Sequence, residues 1–427
     1  MYEYMLDTKS ATLIAAALLA WLANTIAGNS RITFRALLFN YGPAFGCAFF
    51  VVAAFYDAPA SGIDLAAGFG FEFLVLLAYC RLLRDALRYD GHVDDRSVER
   101  WLGWSFALQL LVGVPLVMSE GFGIFSEGSR IAYLDDGGAA KYLTYAGVLI
   151  SIVQAGLIAK RVSGARSPGP TGYAVVAATF ALSTLSGSKG AFFLWLLSTL
   201  ALVDFRRVRI RWTTIVVGVL AVTAALGLTA NIASELLGIS TPEFVELALS
   251  RFFLYNDARA LAFDFGGASG RLSELAASSF RGLATRVGHA PIDPPLGLQL
   301  YEQYFGVSTG NGANASLAAL IVYYSMRGYA PFPALLACFG LAAVYAGVVG
   351  FRRLVRGTLR KMAVTLVGLN LVQQLSQDFL AFQLLVPLAC AAGFLFIITD
   401  RKYPGASPRR PRLSARLPVP QHRHSGT

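Results

Sequence analysis

Eleven apolar blocks of 15 to 21 residues dominate this 427-residue sequence. A transmembrane helix needs about 20 residues to cross about 30 Å of hydrocarbon. The chain is 56% hydrophobic and only 14% charged, with a mean hydropathy of +0.56, so it has too few polar residues to cover a soluble globule of this size. These features exclude a soluble enzyme, a secreted disulfide scaffold and a nucleic-acid-binding module. The predicted fold class is an all-α, polytopic transmembrane bundle. The blocks are 11–28, 36–56, 65–80, 102–119, 142–159, 173–187, 190–204, 212–230, 331–350, 362–380 and 383–399.

The positive charges predict the orientation of these helices. Connections 29–35, 81–101, 160–166, 206–211 and 352–361, together with the tail 401–427, contain 26 of the 36 Lys and Arg residues. Cytoplasmic loops are enriched in Lys and Arg. The pattern therefore places the N-terminus outside, the C-terminus inside, and eleven crossings between them. Twelve crossings with an internal N-terminus is the alternative.

One further apolar stretch, 314–326, is predicted not to cross, because a crossing there would move the cations of 352–361 and of the tail to the outside. We expect a short interfacial or re-entrant helix ending at Arg327 and Gly328. The segment of about residues 231–330 then forms one large outer loop. Residues 1–400 are predicted to form a single membrane domain, and 401–427 a basic, disordered cytoplasmic tail.

The turn between blocks 173–187 and 190–204 is the first candidate functional element. Both blocks are short, so their connection is predicted to lie below the outer headgroup level, with Lys189 recessed in the membrane. The neighbouring Gly and Ser residues allow backbone N–H groups to approach a phosphate. The alternative is a surface hairpin whose lysine extends to the interface.

The outer loops carry the other candidate cations. Arg130 lies near the acidic residues of loop 119–136 and Glu72, where it is a diphosphate ligand or a structural ion-pair partner. Segment 231–330 contains six arginines and no lysine, which favours recognition of planar anions, although lipid phosphate attracts the same residues. The candidates there are Arg251, Arg259, Arg271, Arg281, Arg286, Asp257, Glu302 and His289. The sequence has no metal-ligand cluster, phosphate-binding loop or catalytic triad, so no metal and no cofactor is predicted.

Three stretches resemble the bacterial O-antigen polymerase family, the Wzy-type oligosaccharide repeat unit polymerases. They are FSEGSRIAYL, LSGSKGAFF and GNGANASLAALIVYYSMRGYAPFPALLACFGLAAVYAG. The first two contain Arg130 and Lys189, and the third contains Asn311 and Asn314 at the start of a short helix. Related ligases have a His-Asn pair at that position, whereas this chain has Ala313-Asn314, which favours a polymerase. An arginine followed by ten residues and a glycine, a pattern of such polymerase loops, starts at Arg259, Arg271 and Arg286.

The resemblance implies a metal-independent glycosyl transfer at the periplasmic face of the bacterial inner membrane. The expected partners are membrane lipids, a polyprenyl-diphosphate-linked oligosaccharide, a chain-length regulator and a flippase, with no nucleic acid. We predict that Arg130, Lys189, Arg259 and Arg286 bind the diphosphate and that Asp257 or Glu302 is the catalytic base. An O-antigen ligase-like transferase and a transporter or flippase for lipid-linked sugars are the alternatives.

Overall fold

The computed structural model describes the greater part of the chain. The described residues are 2–28, 41–55, 61–88, 95–120, 139–164, 166–185, 191–204, 227, 231, 240–242, 257–265, 296–305, 315–325 and 327–402. Across these ranges the secondary structure is helical, without strands. The fold class is therefore all-α, as predicted.

The described helices are numbered here in chain order. They are α1 (Tyr2–Asp7), α2 (Lys9–Ile26), α3 (Tyr41–Ala53), α4 (Gly62–Leu87), α5 (Asp95–Glu120), α6 (Ala139–Ser163), α7 (Gly169–Leu185), α8 (Ala191–Leu202), α9 (Asp257–Phe265), α10 (Leu296–Phe305), α11 (Leu317–Tyr324), α12 (Pro331–Leu354), α13 (Thr358–Gln377) and α14 (Phe379–Lys402).

Six of these helices, α2, α4, α5, α6, α12 and α14, are long and apolar enough to cross a membrane. Their outward faces carry large apolar side chains. Leu111 in α5 is 68% exposed, and Phe339 in α12 is 66% exposed. Continuous apolar faces of this size on long helices are unfavourable in water and suit lipid. The chain is therefore a helical membrane protein.

The remaining apolar blocks differ from the expected spans. Block 36–56 contains the 13-residue α3, and blocks 173–187 and 190–204 contain α7 and α8, with 17 and 12 residues. At 1.5 Å per residue, α8 is about 18 Å long, shorter than the hydrocarbon core. Apart from residue 227, block 212–230 lies outside the described residues, as do most of segment 231–330 and the tail after residue 402.

Helix α13 occupies the centre of the bundle. It packs against α3, α4, α6, α11, α12 and α14. Most of its length is buried, including Thr365, Asn370 and Ser376, so protein rather than lipid surrounds its polar groups. Helix α13 has 20 residues but a lower hydropathy than the six long apolar helices. Its central position explains this difference, because a helix surrounded by protein can carry polar residues.

Helices α4 and α12 run parallel. At their N-terminal ends, the Asp64 carboxylate accepts hydrogen bonds from the backbone N–H groups of Gly328 and Ala330, at 2.8 and 3.1 Å. At their C-terminal ends, Arg352 forms an ion pair with Asp85. The N-terminal ends of α4 and α12 are thus joined to each other, and so are their C-terminal ends.

Asp64 also stabilises the beginning of α4. Ser61 caps the helix by accepting a hydrogen bond from the Asp64 N–H at 3.2 Å, and Asp64 accepts one in return from the Ser61 N–H. This reciprocal arrangement is a capping box. One carboxylate therefore fixes both the start of α4 and the turn that precedes α12.

Charged residues from the predicted cytoplasmic connections also pair with one another. Arg161, at the end of α6, forms an ion pair with Glu99 near the start of α5. Thr171 of α7 donates to the same glutamate at 2.6 Å. Arg84 donates to the Ala27 carbonyl after α2 at 2.6 Å. Several of the cations that predict orientation therefore also join helix ends.

Four short helices form a layer against the bundle. Helix α9 packs against α1, α10 and α11, and α11 also contacts α4, α12 and α13. Helix α11 has eight residues, about 12 Å, and is too short to cross a membrane. It is buried along its length rather than lying on the surface of the described residues. The structure thus contains a short helix within 314–326, packed against the bundle, and its interfacial or re-entrant position stays a prediction.

A chain of buried polar side chains connects three other helices. The Gln109 amide of α5 donates to Thr179 of α7 at 2.8 Å, and Gln154 of α6 donates to Gln109 at 3.1 Å. All three side chains are at most 5% exposed. Hydrogen bonds of this kind between helices satisfy polar groups that lipid cannot.

Candidate functional site

The candidate site is built around Arg259, which the short helix α9 carries into the bundle. The α9 sequence is DARALAFDF, and residues 258–263 are all buried. Arg259 is fully enclosed, at 0% exposure, and is among the largest side chains buried in the described part of the chain. An arginine is seldom fully buried unless it is paired. The pairing of this guanidinium therefore defines the site.

The Arg259 guanidinium contacts three bundle helices. Its Nη2 donates to Glu72 Oε1 of α4 at 2.9 Å and to the Ser376 carbonyl oxygen of α13 at 2.6 Å. Its Cζ lies 5.8 Å from the centre of the Phe49 ring of α3. The cation is thus held by a carboxylate, a backbone dipole and an aromatic face.

Glu72 is held on its other side as well. The Ser376 hydroxyl donates to Glu72 Oε2 at 2.5 Å, so both carboxylate oxygens accept hydrogen bonds. Glu72 is also 0% exposed. Ten residues separate it from the start of α4, which places it about 15 Å along that helix. The pair therefore lies well inside the bundle.

Gly46 of α3 allows the backbone to approach this pair closely. A Cβ atom at this position would lie 2.7 Å from Glu72 Oε2 and 2.8 Å from Ser376 Oγ, inside van der Waals contact. The next residue, Cys47, is a free and fully buried cysteine. Gly46 therefore leaves no spare volume between α3 and the Glu72–Arg259 pair. The buried thiol of Cys47 is its neighbour in the chain.

The turn between α13 and α14 closes the site on another side. Asp378 ends α13 and accepts a hydrogen bond from the Ala381 N–H at the start of α14, at 2.9 Å. The Phe379 N–H donates to the Ala315 carbonyl oxygen just before α11, at 3.1 Å. Because Ser376 reaches Glu72 deep in α4, this turn is recessed within the bundle and α11 packs next to it.

The electrostatics of the site depend on the pair as a unit. Removing a carboxylate and a guanidinium from water costs several kcal/mol per ion, and their attraction offsets this cost only with good geometry and further hydrogen bonds. Glu72, Ser376 and Phe49 supply that geometry for Arg259. A guanidinium also binds phosphate oxygens in the way it binds carboxylate. The arrangement can therefore hold an anionic group.

Two predicted carboxylates lie in the same layer of short helices. Asp257 is the first residue of α9, two positions before Arg259. Glu302 is a half-buried residue of α10, the helix that packs against α9. The rings of Phe265 and Tyr304 meet edge to face at 6.4 Å across these two helices. The structure thus brings both candidate bases into the layer that carries Arg259.

The other predicted site residues fall outside the described residues, so their arrangement stays a prediction. They are Arg130, Lys189, Arg251, Arg271, Arg281, Arg286, His289, Asn311 and Asn314.

Sequence reasoning did not identify the residues that hold Arg259. The sequence pattern associates Glu72 with Arg130 rather than with Arg259, and nothing in it points to Ser376. The signal for Glu72 was present, because an acid inside an apolar block is costly unless it is paired. Its partner lies 187 residues away, and no local pattern indicates such a pairing.

No protein-family model, curated protein or solved structure matches this chain significantly.

Proposed function

We propose that this chain is an oligosaccharide repeat unit polymerase, a membrane glycosyltransferase of the O-antigen polymerase type. It transfers a polyprenyl-diphosphate-linked glycan onto a newly arrived lipid-linked repeat unit at the periplasmic face of the inner membrane. The product class is a surface polysaccharide: O-antigen, capsule or exopolysaccharide. The sequence resemblance described above suggests this activity.

The Arg259 site is the structural observation that supports the proposal. A cation from the segment between the predicted eighth and ninth crossings is inserted into the bundle, where three helices hold it. Two candidate bases, Asp257 and Glu302, lie on α9 and on the adjoining α10. A cation and carboxylates in one layer against an apolar bundle suit a substrate with a charged headgroup and a lipid tail.

The proposed reaction is a direct displacement. A sugar hydroxyl of the acceptor attacks the anomeric carbon of the donor glycan, the bond from that carbon to the diphosphate oxygen breaks, and the lipid diphosphate leaves with inverted configuration at the carbon. Asp257 or Glu302 takes the hydroxyl proton. Arg259, with Arg130, Lys189 and Arg286, stabilises the charge that develops on the diphosphate.

Eleven crossings with the large loop in the periplasm complete the proposal. The parallel arrangement of α4 and α12 supports it, because two parallel helices need an odd number of crossings between them. The charge pattern predicts five. A crossing by 314–326 would add a sixth and make the two helices antiparallel.

A transporter for anionic lipid-linked sugars is the second candidate function. The observation in its favour is Glu72, an acid buried inside a candidate span and paired with a cation. Ionisable residues within spans often mark transport pathways. A transporter predicts movement of the lipid-linked sugar across the membrane without any new glycosidic bond.

Gene deletion followed by gel analysis of surface polysaccharide tests the proposal. We expect the ladder of long chains to disappear and to return with the wild-type gene. Arg259→Gln should fail to restore it, whereas Arg81→Gln should restore it, because Arg81 is an exposed arginine far along α4 from the site. An unchanged ladder after deletion excludes both polymerase and ligase. Single capped repeat units indicate a polymerase, and full-length chains that stay on the carrier lipid indicate a ligase.

A further inference from the structure

The Arg259 guanidinium already has an anionic partner in this structure. Glu72 accepts a hydrogen bond from Arg259 Nη2, and the Arg259 side chain is fully enclosed. A diphosphate that binds Arg259 through Nη2 and the Ser376 hydroxyl must replace the Glu72 carboxylate, because Nη2 already donates to Glu72 Oε1 and to the Ser376 carbonyl oxygen and Gly46 leaves no volume beside Glu72 Oε2. The structure therefore shows the site in a state closed to its proposed substrate.

The Glu72 carboxylate presents the same donor pattern that a phosphate group would use. One oxygen accepts from a guanidinium and the other from the Ser376 hydroxyl. Both donors also bind phosphate oxygens. Displacement of Glu72 by a diphosphate thus leaves each donor with an acceptor.

We propose that Glu72 is a resident counter-anion of the substrate site, which holds Arg259 until the diphosphate of a lipid-linked substrate displaces it. The inference rests on the proposed function. It adds that the Glu72 carboxylate competes with the substrate diphosphate for Arg259. Glu72 is a positioning residue that acts through Arg259. The resident carboxylate keeps the arginine buried, neutral as a pair and in place on α9 when no substrate is bound.

Helix α9 is the element that must move for this exchange. It is nine residues long and packs mainly against the short helices α1, α10 and α11, and its Phe263 ring also meets Phe49 and Phe50 of α3 edge to face, at 5.2 and 6.0 Å. Arg259 supplies two hydrogen bonds from α9 to the long helices, one to Glu72 of α4 and one to Ser376 of α13. Loss of the Glu72 bond therefore weakens the polar attachment of α9 to the bundle, while the packing of Phe263 against α3 keeps the helix nearby.

Binding of farnesyl diphosphate, a short polyprenyl diphosphate, to the purified full chain tests the inference. We expect Glu72→Gln to tighten binding about tenfold, the equivalent of one hydrogen bond to a charged group, because the competitor has lost its charge. Arg259→Gln should weaken binding by a similar factor, and the double variant should bind as Arg259→Gln does. Farnesol is the uncharged control, and inorganic pyrophosphate tests whether the headgroup alone is sufficient.

The outcomes separate the inference from the proposed function. Weaker binding by Glu72→Gln, together with weaker binding by Arg259→Gln, overturns the competitor role and makes Glu72 a structural support for a real anion site. Unchanged binding by Arg259→Gln overturns the anion site itself. Glu72→Asp keeps the charge balance that folding needs and withdraws the carboxylate by one methylene. It should tighten binding less than Glu72→Gln, and weaker binding by this variant also contradicts the inference.

Cys47 provides a reporter of opening without a change to the pair. It follows Gly46 and is 0% exposed, and Cys80 is an equally buried thiol in the same apolar cluster. In a chain that retains only Cys47, farnesyl diphosphate should open the site and raise the rate at which a water-soluble reagent labels this thiol about tenfold. A chain that retains only Cys80 should label at an unchanged rate. Equal changes at both thiols indicate general loosening and contradict a local exchange.

Discussion

The Arg352 guanidinium at the end of α12 is paired with the Asp85 carboxylate at the end of α4. At the opposite ends of the same two helices, Asp64 accepts hydrogen bonds from the backbone before α12. These contacts make α4 and α12 a parallel pair. The parallel pair requires an odd number of crossings between residues 88 and 330.

Reporter tags at residues 328 and 357 test this topology. The first position precedes α12 and the second follows it, so they should lie on opposite sides of the membrane. The cations of 352–361 predict that residue 357 is cytoplasmic and residue 328 periplasmic. Labelling of residue 328 only from the cytoplasm contradicts the eleven-crossing topology.

Breaking the Glu72–Arg259 pair should destabilise the protein strongly. Glu72→Leu or Arg259→Met alone leaves an uncompensated buried charge, and we expect a loss of about 3–5 kcal/mol. The double variant removes both charges and should lose much less. Denaturant unfolding of the purified protein measures each value, and additive losses contradict the coupling of the two residues.

Gly46→Ala should destabilise the protein by about 1–3 kcal/mol, because its Cβ would overlap Glu72 Oε2 and Ser376 Oγ. Gly340→Ala in α12 is the matched control. Nothing lies within 4 Å of a Cβ at Gly340, and alanine is the better helix former. Thermal unfolding of the two variants should therefore shift in opposite directions. A neutral Gly46→Ala shows that the pair tolerates displacement.

Asp64→Ala should cost more stability than Ser61→Ala. The serine change removes only the cap, about 1 kcal/mol. The aspartate change also removes the acceptor of two backbone N–H groups, of which the buried Ala330 N–H costs about 1–3 kcal/mol when it has no acceptor. Equal losses in unfolding measurements would assign Asp64 to the cap alone.

Lys189→Ala should abolish long-chain polymer and leave single capped repeat units, because the recessed lysine is predicted to bind the diphosphate. Gel analysis of surface polysaccharide from a complemented deletion strain measures chain length. Lys402→Ala in the basic tail is the charge-matched control and should retain the full ladder. Wild-type chain length with Lys189→Ala removes this lysine from the mechanism.

Hydropathy predicted the long apolar helices well where they face lipid, whereas the orientation read from the charges stays a prediction. The blocks 65–80 and 331–350 correspond to α4 and α12, and apolar length alone identifies both as candidate spans. The same criterion is less informative for α13, which protein surrounds on most sides and which can therefore carry buried polar residues. Lipid exposure, rather than membrane depth, is what hydropathy detects.

The sequence singles out Arg259 but not the residues that surround it. Arginine chemistry indicates Arg259 as a candidate anion ligand, and an acid inside an apolar block signals that Glu72 has a partner, but nothing in the sequence pairs these two residues or points to Ser376. Ser376 lies 304 residues from Glu72, and their contact depends on how α13 packs against α4. Local patterns predict helices and their faces, whereas contacts of this separation follow from tertiary packing.

The polar chain through Gln109, Gln154 and Thr179 makes the biogenesis of α5, α6 and α7 interdependent. Each amide has its side-chain partner on another helix, so a helix released alone into the bilayer would expose that amide to hydrocarbon. We therefore expect the three helices to leave the translocation machinery together. Hydrogen bonding, as well as apolar length, then sets the order in which this bundle assembles.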